Sequence, residues 1–506
     1  MAQVVPGMVE ELEERPLSQE GFRAPILRGL AWKSVTRVTF ELTKIGVAVA
    51  LARLLTPREY GLAGMVLVLA AFEPVLSGVA LASALVQRKE LTEEDRSTVF
   101  WTNAGFGLAC TLAGIAVSGL AARFYGNPEV KPLFAAMSCC FFLGALGVTH
   151  AHLLLRTMSF RAMELRAMAG VAVGAVLAIA AAVEGYGPWA LVVQQLGAIG
   201  TSTVLLWFFS DWHPRFVYSR KSIRELRAFG GQVSGTLMLF QLNQNTDNVL
   251  IGRYLGASAL GSYALAYNII LVPFSRLASP LQEVLYPVFS RLQDDRERLA
   301  SVWLRVVRMV AAVAVPAMLG LVVLAPEFVS TVFGPRWHDA APVMRILAWV
   351  GLLFVLQGLN SVVLQAVGRT RTLFTYSVIS FVAGIASFVL GLRWGIVGVA
   401  ACFAVVSTVM QPLYMSLTAK AVGVGWRECL AAVGGVLQAS ALVIGAVIAA
   451  RELLLGAGAS PAVTVLLAAL VGALVYVPAC WWRAPEVVRD LVTLRGRRAA
   501  AATVTT

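Results

Sequence analysis

Apolar runs of membrane length, repeated along almost the whole chain, constrain this sequence more than any other feature. A helix needs roughly 20 mostly apolar residues to cross a bilayer. Such runs follow one another from about Gly29 to Trp482, broken every 25–35 residues by Pro, Gly and clustered charge. The breaks include Thr56-Pro57-Arg58-Glu59, Tyr125-Gly126-Asn127-Pro128, Gly185-Tyr186-Gly187-Pro188 and Phe333-Gly334-Pro335-Arg336. Counting them predicts about fourteen spans, and no soluble domain of 60 residues or more fits between them. With 58% hydrophobic and 14% charged residues in 506, the chain is too apolar for an ordinary soluble enzyme and for a disordered protein. The fold class expected is all-α and polytopic.

The 41 Lys and Arg set the orientation. Loops that stay in the cytoplasm are enriched in them. With the N-terminus inside, one set of loops and the C-terminal tail carry 25 basic residues, from Arg88 and Lys89 to Arg498; the other set carries 8, among them Arg53, Arg58 and Arg336. An even span count with both termini cytoplasmic follows. Nucleic acid is not an expected partner, because the basic residues form no soluble face. The acidic N-terminus lacks the order of a signal peptide and reads as a short cytosolic tail.

Residues 31–61 align without a gap onto 231–261, an offset of 200. Ser34 falls on Ser234, Phe40 on Phe240, Arg53 on Arg253, Leu55 on Leu255 and Gly61 on Gly261. Two copies of a six-span unit keep one orientation, related by an axis along the membrane normal. The organisation expected is a tail (1–28), an N-lobe with spans 1–6 (29–210), a basic loop (211–228), a C-lobe with spans 7–12 (229–420), spans 13–14 (421–483) and a basic tail (484–506). A cleft between two such lobes suits alternating access.

Charges at membrane depth normally face a cavity or a partner. Ser34, Arg37, Glu41 and Lys44 share one face of span 1, at steps of three, four and three. An Arg37–Glu41 ion pair that only packs the bundle is the alternative. Span 7 repeats the stripe without charge, as Ser234, Gln241, Gln244, Asn245 and Asn248, with Asp247 beside it. Cations suit a phosphate, and amides and hydroxyls suit sugar hydroxyls. The candidate phosphate-binding residues are therefore Arg37, Lys44, Arg276 and Arg345. The candidate sugar-binding residues are Ser34, Gln241, Gln244, Asn245 and Asn248. Glu41, Glu73, Asp247 and Glu283 are candidates for coupling to H⁺ or Na⁺, with structural pairing such as Arg276 to Glu283 as the alternative. No GxxxxGK[ST], HExxH or GxSxG is present, and the six cysteines lack CxxC spacing. No metal, cofactor or catalytic residue is expected, and the chain is not read as an enzyme.

The segment QNTDNVLIGRYLGASALGSYALAYNIILVPFSRLASPLQEVLYPVFSRLQDD, and LARLLTPREYGLAGM after span 1, resemble the polysaccharide exporter branch of the multidrug/oligosaccharidyl-lipid/polysaccharide (MOP) flippase superfamily. The nearest type is similar to the colanic-acid and teichuronic-acid exporters, relatives of Wzx O-antigen flippases. The resemblance implies fourteen helices in two lobes. It implies transfer of an undecaprenyl-pyrophosphate-linked oligosaccharide across the bacterial cytoplasmic (inner) membrane, for exopolysaccharide, capsule or O-antigen (lipopolysaccharide) biosynthesis. It also implies membrane lipids, a coupling ion and a polysaccharide polymerase or export machinery as partners. By position Arg37 and Lys44 match its cavity cations. Span 7 has no such Arg, which departs from a symmetric site. A drug/cation antiporter of the same superfamily is the alternative, and a membrane glycosyltransferase or polymerase a third reading that the short loops disfavour.

Overall fold

The computed structural model describes residues 43–88 and 90–490; for residue 87, 225–233, 236, 271–281, 283 and 284 it describes the backbone alone. The chain divides into two units, Met1–Ala48 and Val49–Thr506. Of the first, residues 43–48 are described, and they are helical. All that follows concerns the second.

Among the described residues there is no strand. The helices are α1 (Pro57–Leu76), α2 (Val79–Gln87), α3 (Glu93–Tyr125), α4 (Val130–Arg156), α5 (Phe160–Val183), α6 (Trp189–Phe209), α7 (Arg220–Tyr254), α8 (Ala257–Arg291), α9 (Arg296–Val332), α10 (Ala340–Ala366), α11 (Thr370–Gly391), α12 (Gly395–Val422), α13 (Trp426–Gly456) and α14 (Pro461–Arg483). In a bilayer every backbone polar group needs a partner within the segment, so helices are the expected solution. Ten stretches of the described residues are long and apolar enough to cross a membrane, and one of them, Thr370–Val422, holds both α11 and α12. The protein is a polytopic membrane protein. α7 and α8 are not among the ten, and the middle of α7 carries Gln241, Asn243, Gln244, Asn245, Asp247 and Asn248.

The breaks read from the sequence form the helix ends. Thr56 caps α1: its side chain accepts from the Glu59 amide at 3.3 Å, while Glu59 accepts from the Thr56 amide at 2.8 Å. Pro57 occupies the first turn, where its missing N–H costs nothing. Thr92 and Asp95 repeat this reciprocal cap on α3, and Gly126 ends α3 at φ 65°.

The repeat is visible in the packing. In the first half α1 packs on α4, α3 on α4, α4 on α6 and α5 on α6; in the second half α8 packs on α10, α9 on α10, α10 on α12 and α11 on α12. The halves meet where α7 packs on α1, α2 and α3 and where α1 crosses α8. Gly61 and Gly261, paired by the 200-residue offset, lie at that crossing. A Cβ on Gly61 would fall onto the Ala257 carbonyl oxygen, and one on Gly261 onto the Pro57 carbonyl oxygen. Helix backbones approach this closely only through residues without side chains. The α13–α14 hairpin packs on α9, held by Arg451 to Glu327 at 2.6 Å, and beyond the end of α14 Asp490 pairs with Arg308 of α9 at 3.0 Å.

At one rim Arg88 pairs with Asp95 at 2.8 Å, Arg156 donates to the Leu85 carbonyl at 2.8 Å, and Trp101 Nε1 donates to the Arg215 carbonyl at 2.8 Å. At the end of the bundle where α1 begins, Arg53 Nε donates to the Val332 carbonyl at 2.8 Å, and Trp337 Nε1 to the Ala52 carbonyl at 2.7 Å.

Candidate functional site

Prolines inside spans release carbonyls, because the residue four positions earlier loses its donor. α9 contains Pro316 and Pro326, which free the carbonyls of Ala312 and Val322. The Tyr476 hydroxyl of α14 donates to Ala312, and Arg345 Nε donates to Val322 at 3.0 Å. α1 contains Pro74, which releases the Ala70 carbonyl, and Gln241 Nε2 of α7 donates to the neighbouring Ala71 carbonyl. Part of the intramembrane polarity is thus committed to helix kinks.

The polar stripe of α7 divides accordingly. Gln241 serves α1, and Asn245 Nδ2 donates back to the Gln241 carbonyl at 2.9 Å. Asn248 keeps a buried Oδ1 with no partner. Gln244, with Asn243 and Asp247, faces a cavity of about 450 Å³ inside the second half, walled by α7, α8, α10, α11 and α12. Asp247 is 3% exposed. Its Oδ2 accepts from the Tyr263 hydroxyl at 3.0 Å and its Oδ1 from the Asn248 amide at 2.8 Å. Gln282 reaches the cavity because Gly358 is bare where the Gln282 amide lies. Gln357 donates to the Tyr376 hydroxyl at 3.0 Å, and Tyr376 stacks on Tyr414 with ring centroids 3.9 Å apart and 5° between planes. Ser380 lines the cavity with a buried hydroxyl that has no partner. Among the described residues no Lys or Arg lines the cavity.

Of the residues expected from sequence, the structure brings Gln244 and Asp247 together here. Ser34, Arg37 and Glu41 lie outside the described residues, and Lys44 belongs to the first unit. Arg276 and Glu283 are described through their backbone on α8 alone. Arg345 does not line the cavity and is tied to α9. Glu73 lies in the first half, against Gly144 of α4 and within electrostatic range of Arg166. Arg166, counted from sequence among the loop cations, instead donates to Ser202 Oγ at 2.9 Å between α5 and α6. Sequence reasoning missed Gln282, Gln357, Ser380, Tyr376 and Tyr414. A search for uncharged polar residues inside apolar runs, such as the Gln of LLFVLQGLN, would have found them.

Known proteins place this geometry. Residues 50–342 match the family model described as polysaccharide biosynthesis protein. The lipopolysaccharide biosynthesis protein WzxC of Escherichia coli K12 is 27% identical, over 80% of this chain and 83% of the relative. The teichuronic acid biosynthesis protein TuaB of Bacillus subtilis 168 is 28% identical, over 76% and 80%. The succinoglycan biosynthesis transport protein ExoT of Rhizobium meliloti 1021 is 30% identical, over 71% and 72%. In fold, the chain is similar to the lipid II flippase MurJ in an inward closed conformation, at TM-score 0.73 and 16% identity, over 91% of this chain and 99% of that one. An inward-facing multidrug resistance MATE family transporter of the MOP superfamily matches at TM-score 0.60 and 13% identity, over 77% and 98%. The chain belongs to the polysaccharide biosynthesis protein family, whose model covers it from the residue after Val49 to Pro342.

Proposed function

We propose that this protein is a flippase that moves a lipid-linked oligosaccharide from the inner to the outer leaflet of the bacterial cytoplasmic membrane by alternating access. One observation carries the reading: a polar cavity of about 450 Å³ sits among membrane helices, in a fold shared with a lipid II flippase. Apolar spans have no use for such a cavity unless polar cargo passes, because uncompensated polar groups in hydrocarbon are costly. The names of the relatives fit polysaccharide biosynthesis and transport.

In this reading Arg37 and Lys44 of the first span hold the pyrophosphate, with Arg276 as a contributor from α8. Uncharged groups of α7, Gln244 first, meet the sugars. Glu41, Glu73, Asp247 and Glu283 are the carboxylates available to couple H⁺ or Na⁺ movement. Both termini lie in the cytoplasm, and the lobes run over 29–210 and 229–420. The protein transports and makes no bond. A polymerase acts on the delivered repeat unit.

The test is polymer export in a strain lacking the chromosomal gene. Wild-type protein restores export, and Arg37→Ala does not, at equal protein levels. Normal export by the null strain overturns the reading.

A second reading, a drug/cation antiporter, is favoured by one feature: the cavity holds a carboxylate and aromatic rings and, among the described residues, no Lys or Arg. Sensitisation of the null strain to lipophilic cations, with export intact, would decide for it.

A further inference from the structure

We propose that the cavity in the second half is a docking site for an uncharged sugar unit of the cargo, and that Asp247 makes it reject acidic sugars. This rests on the flippase reading above and names the part of the cargo that enters the cavity.

The chemistry of the walls carries the assignment. A pyranose presents hydroxyls that both donate and accept around an apolar C–H body. Side-chain amides answer the hydroxyls, since each offers two donors and an acceptor. Gln244, Gln282 and Gln357 come from three different helices, so amides meet the cavity from separate directions. Ser380 adds a hydroxyl with no partner within the protein, available to a ligand. The apolar body finds rings: Phe354 and Phe403 pack edge-on at 6.0 Å, and both line the same space. The stacked Tyr376 and Tyr414 come from different helices and fix their hydroxyls in place. A volume of about 450 Å³ falls within the range of small-molecule sites, about 300–1,000 Å³.

The alternatives fit less well. A phosphate needs cations, and none lines the cavity among the described residues. An organic cation needs a carboxylate open to it, whereas both oxygens of Asp247 already accept hydrogen bonds. A metal ion needs several convergent anionic or imidazole ligands, and no group of three His, Cys, Asp or Glu stands together among the described residues. Asp247 in turn sets the charge preference. Among the described residues no Lys or Arg lines the cavity to offset its carboxylate, so a second carboxylate entering this low-dielectric space is repelled.

The test uses the full chain in lipid nanodiscs and saturation-transfer NMR with neutral trisaccharides, cellotriose and maltotriose, against trigalacturonate. Saturation transfer to the ring protons of at least one neutral probe is expected, falling about tenfold or more in Ser380→Phe, which fills the cavity. Trigalacturonate binds about tenfold more weakly, and Asp247→Asn closes that gap. Gln357→Leu, close in volume, replaces Ser380→Phe if the latter does not elute as a folded species. Absence of transfer from both neutral probes overturns the proposal. So do signals unchanged in the cavity variants, equal binding of trigalacturonate, or displacement of the sugar by tetraphenylphosphonium or sodium. Export separates the two levels. A Ser380→Phe protein that restores full export in the null strain overturns the docking site and leaves the flippase reading standing, whereas an exporting null strain overturns the flippase reading itself.

Discussion

Tyr476 and Pro316 form a pair that a double-mutant cycle can dissect. Pro316 has no N–H, so the Ala312 carbonyl of α9 has no helical donor, and the Tyr476 hydroxyl of α14 supplies one. Ala312 is 6% exposed, so no water replaces the hydroxyl once it is removed. Tyr476→Phe keeps the ring and leaves that carbonyl unpaired. Hydrogen bonds inside membrane proteins average about 0.6 kcal/mol and reach about 1.7. An acceptor with no alternative donor belongs near the upper value, so a loss of about 1–2 kcal/mol is expected. In the Tyr476→Phe background, Pro316→Ala returns an N–H to the Ala312 carbonyl and recovers about 1 kcal/mol of that loss. The same substitution in the parent protein gains less, because the carbonyl already has a donor. The measurement is reversible unfolding in mixed detergent micelles for the parent, both single variants and the double variant. The expected coupling is about 1 kcal/mol. Additivity within about 0.3 kcal/mol would refute the argument that the tyrosine stands in for the missing amide.

Three further outcomes follow from the packing. Gly61→Ala and Gly261→Ala each force α1 and α8 apart, because the new Cβ meets backbone rather than a flexible side chain; each lowers stability by about 1–3 kcal/mol, and the double variant costs less than the sum, as read from melting in detergent. Arg451→Ala strands Glu327, which is 7% exposed, and destabilises the α13–α14 contact by about 2–4 kcal/mol, whereas the joint change of Arg451 and Glu327 to Met restores most of it; the check is the same melting series. Trp337→Phe removes the buried donor to the Ala52 carbonyl at 2.7 Å and costs about 1–2 kcal/mol, with thermal inactivation of export as a second readout.

Much of the architecture was legible because membrane folding is governed by a few strong rules. The apolar runs had to become helices, and Thr56-Pro57-Arg58-Glu59 had to start one, since the residues carry both halves of a reciprocal cap. The gapless 200-residue offset foresaw two lobes, and Gly61 and Gly261 meet where those lobes touch. What the sequence hid was the destination of each side chain. Arg345 looked like a cavity cation, yet its Nε answers the carbonyl released by Pro326, 19 positions away and on another helix. Gln241 looked like a sugar ligand and donates to the Ala71 carbonyl of α1. Arg166 counted as a loop cation and reaches Ser202.

The reason is one of bookkeeping within the bundle. Reading by charge treats every polar atom at membrane depth as available to cargo. Inside a helical bundle, however, a proline can create a demand for a donor, and at Pro316 and Pro326 a polar side chain of another helix meets it, because an unpaired carbonyl in hydrocarbon costs more than the side chain loses by turning toward it. The polar groups that mark a transport path are those left after these demands are met. In the second half Gln244, Asp247, Gln282, Gln357 and Ser380 surround one cavity. Gln282, Gln357 and Ser380 are uncharged, which is why a search led by charge passed them by. In a proline-rich membrane protein, then, matching each released carbonyl to its donor is the step that separates the groups supporting the fold from those facing the cargo.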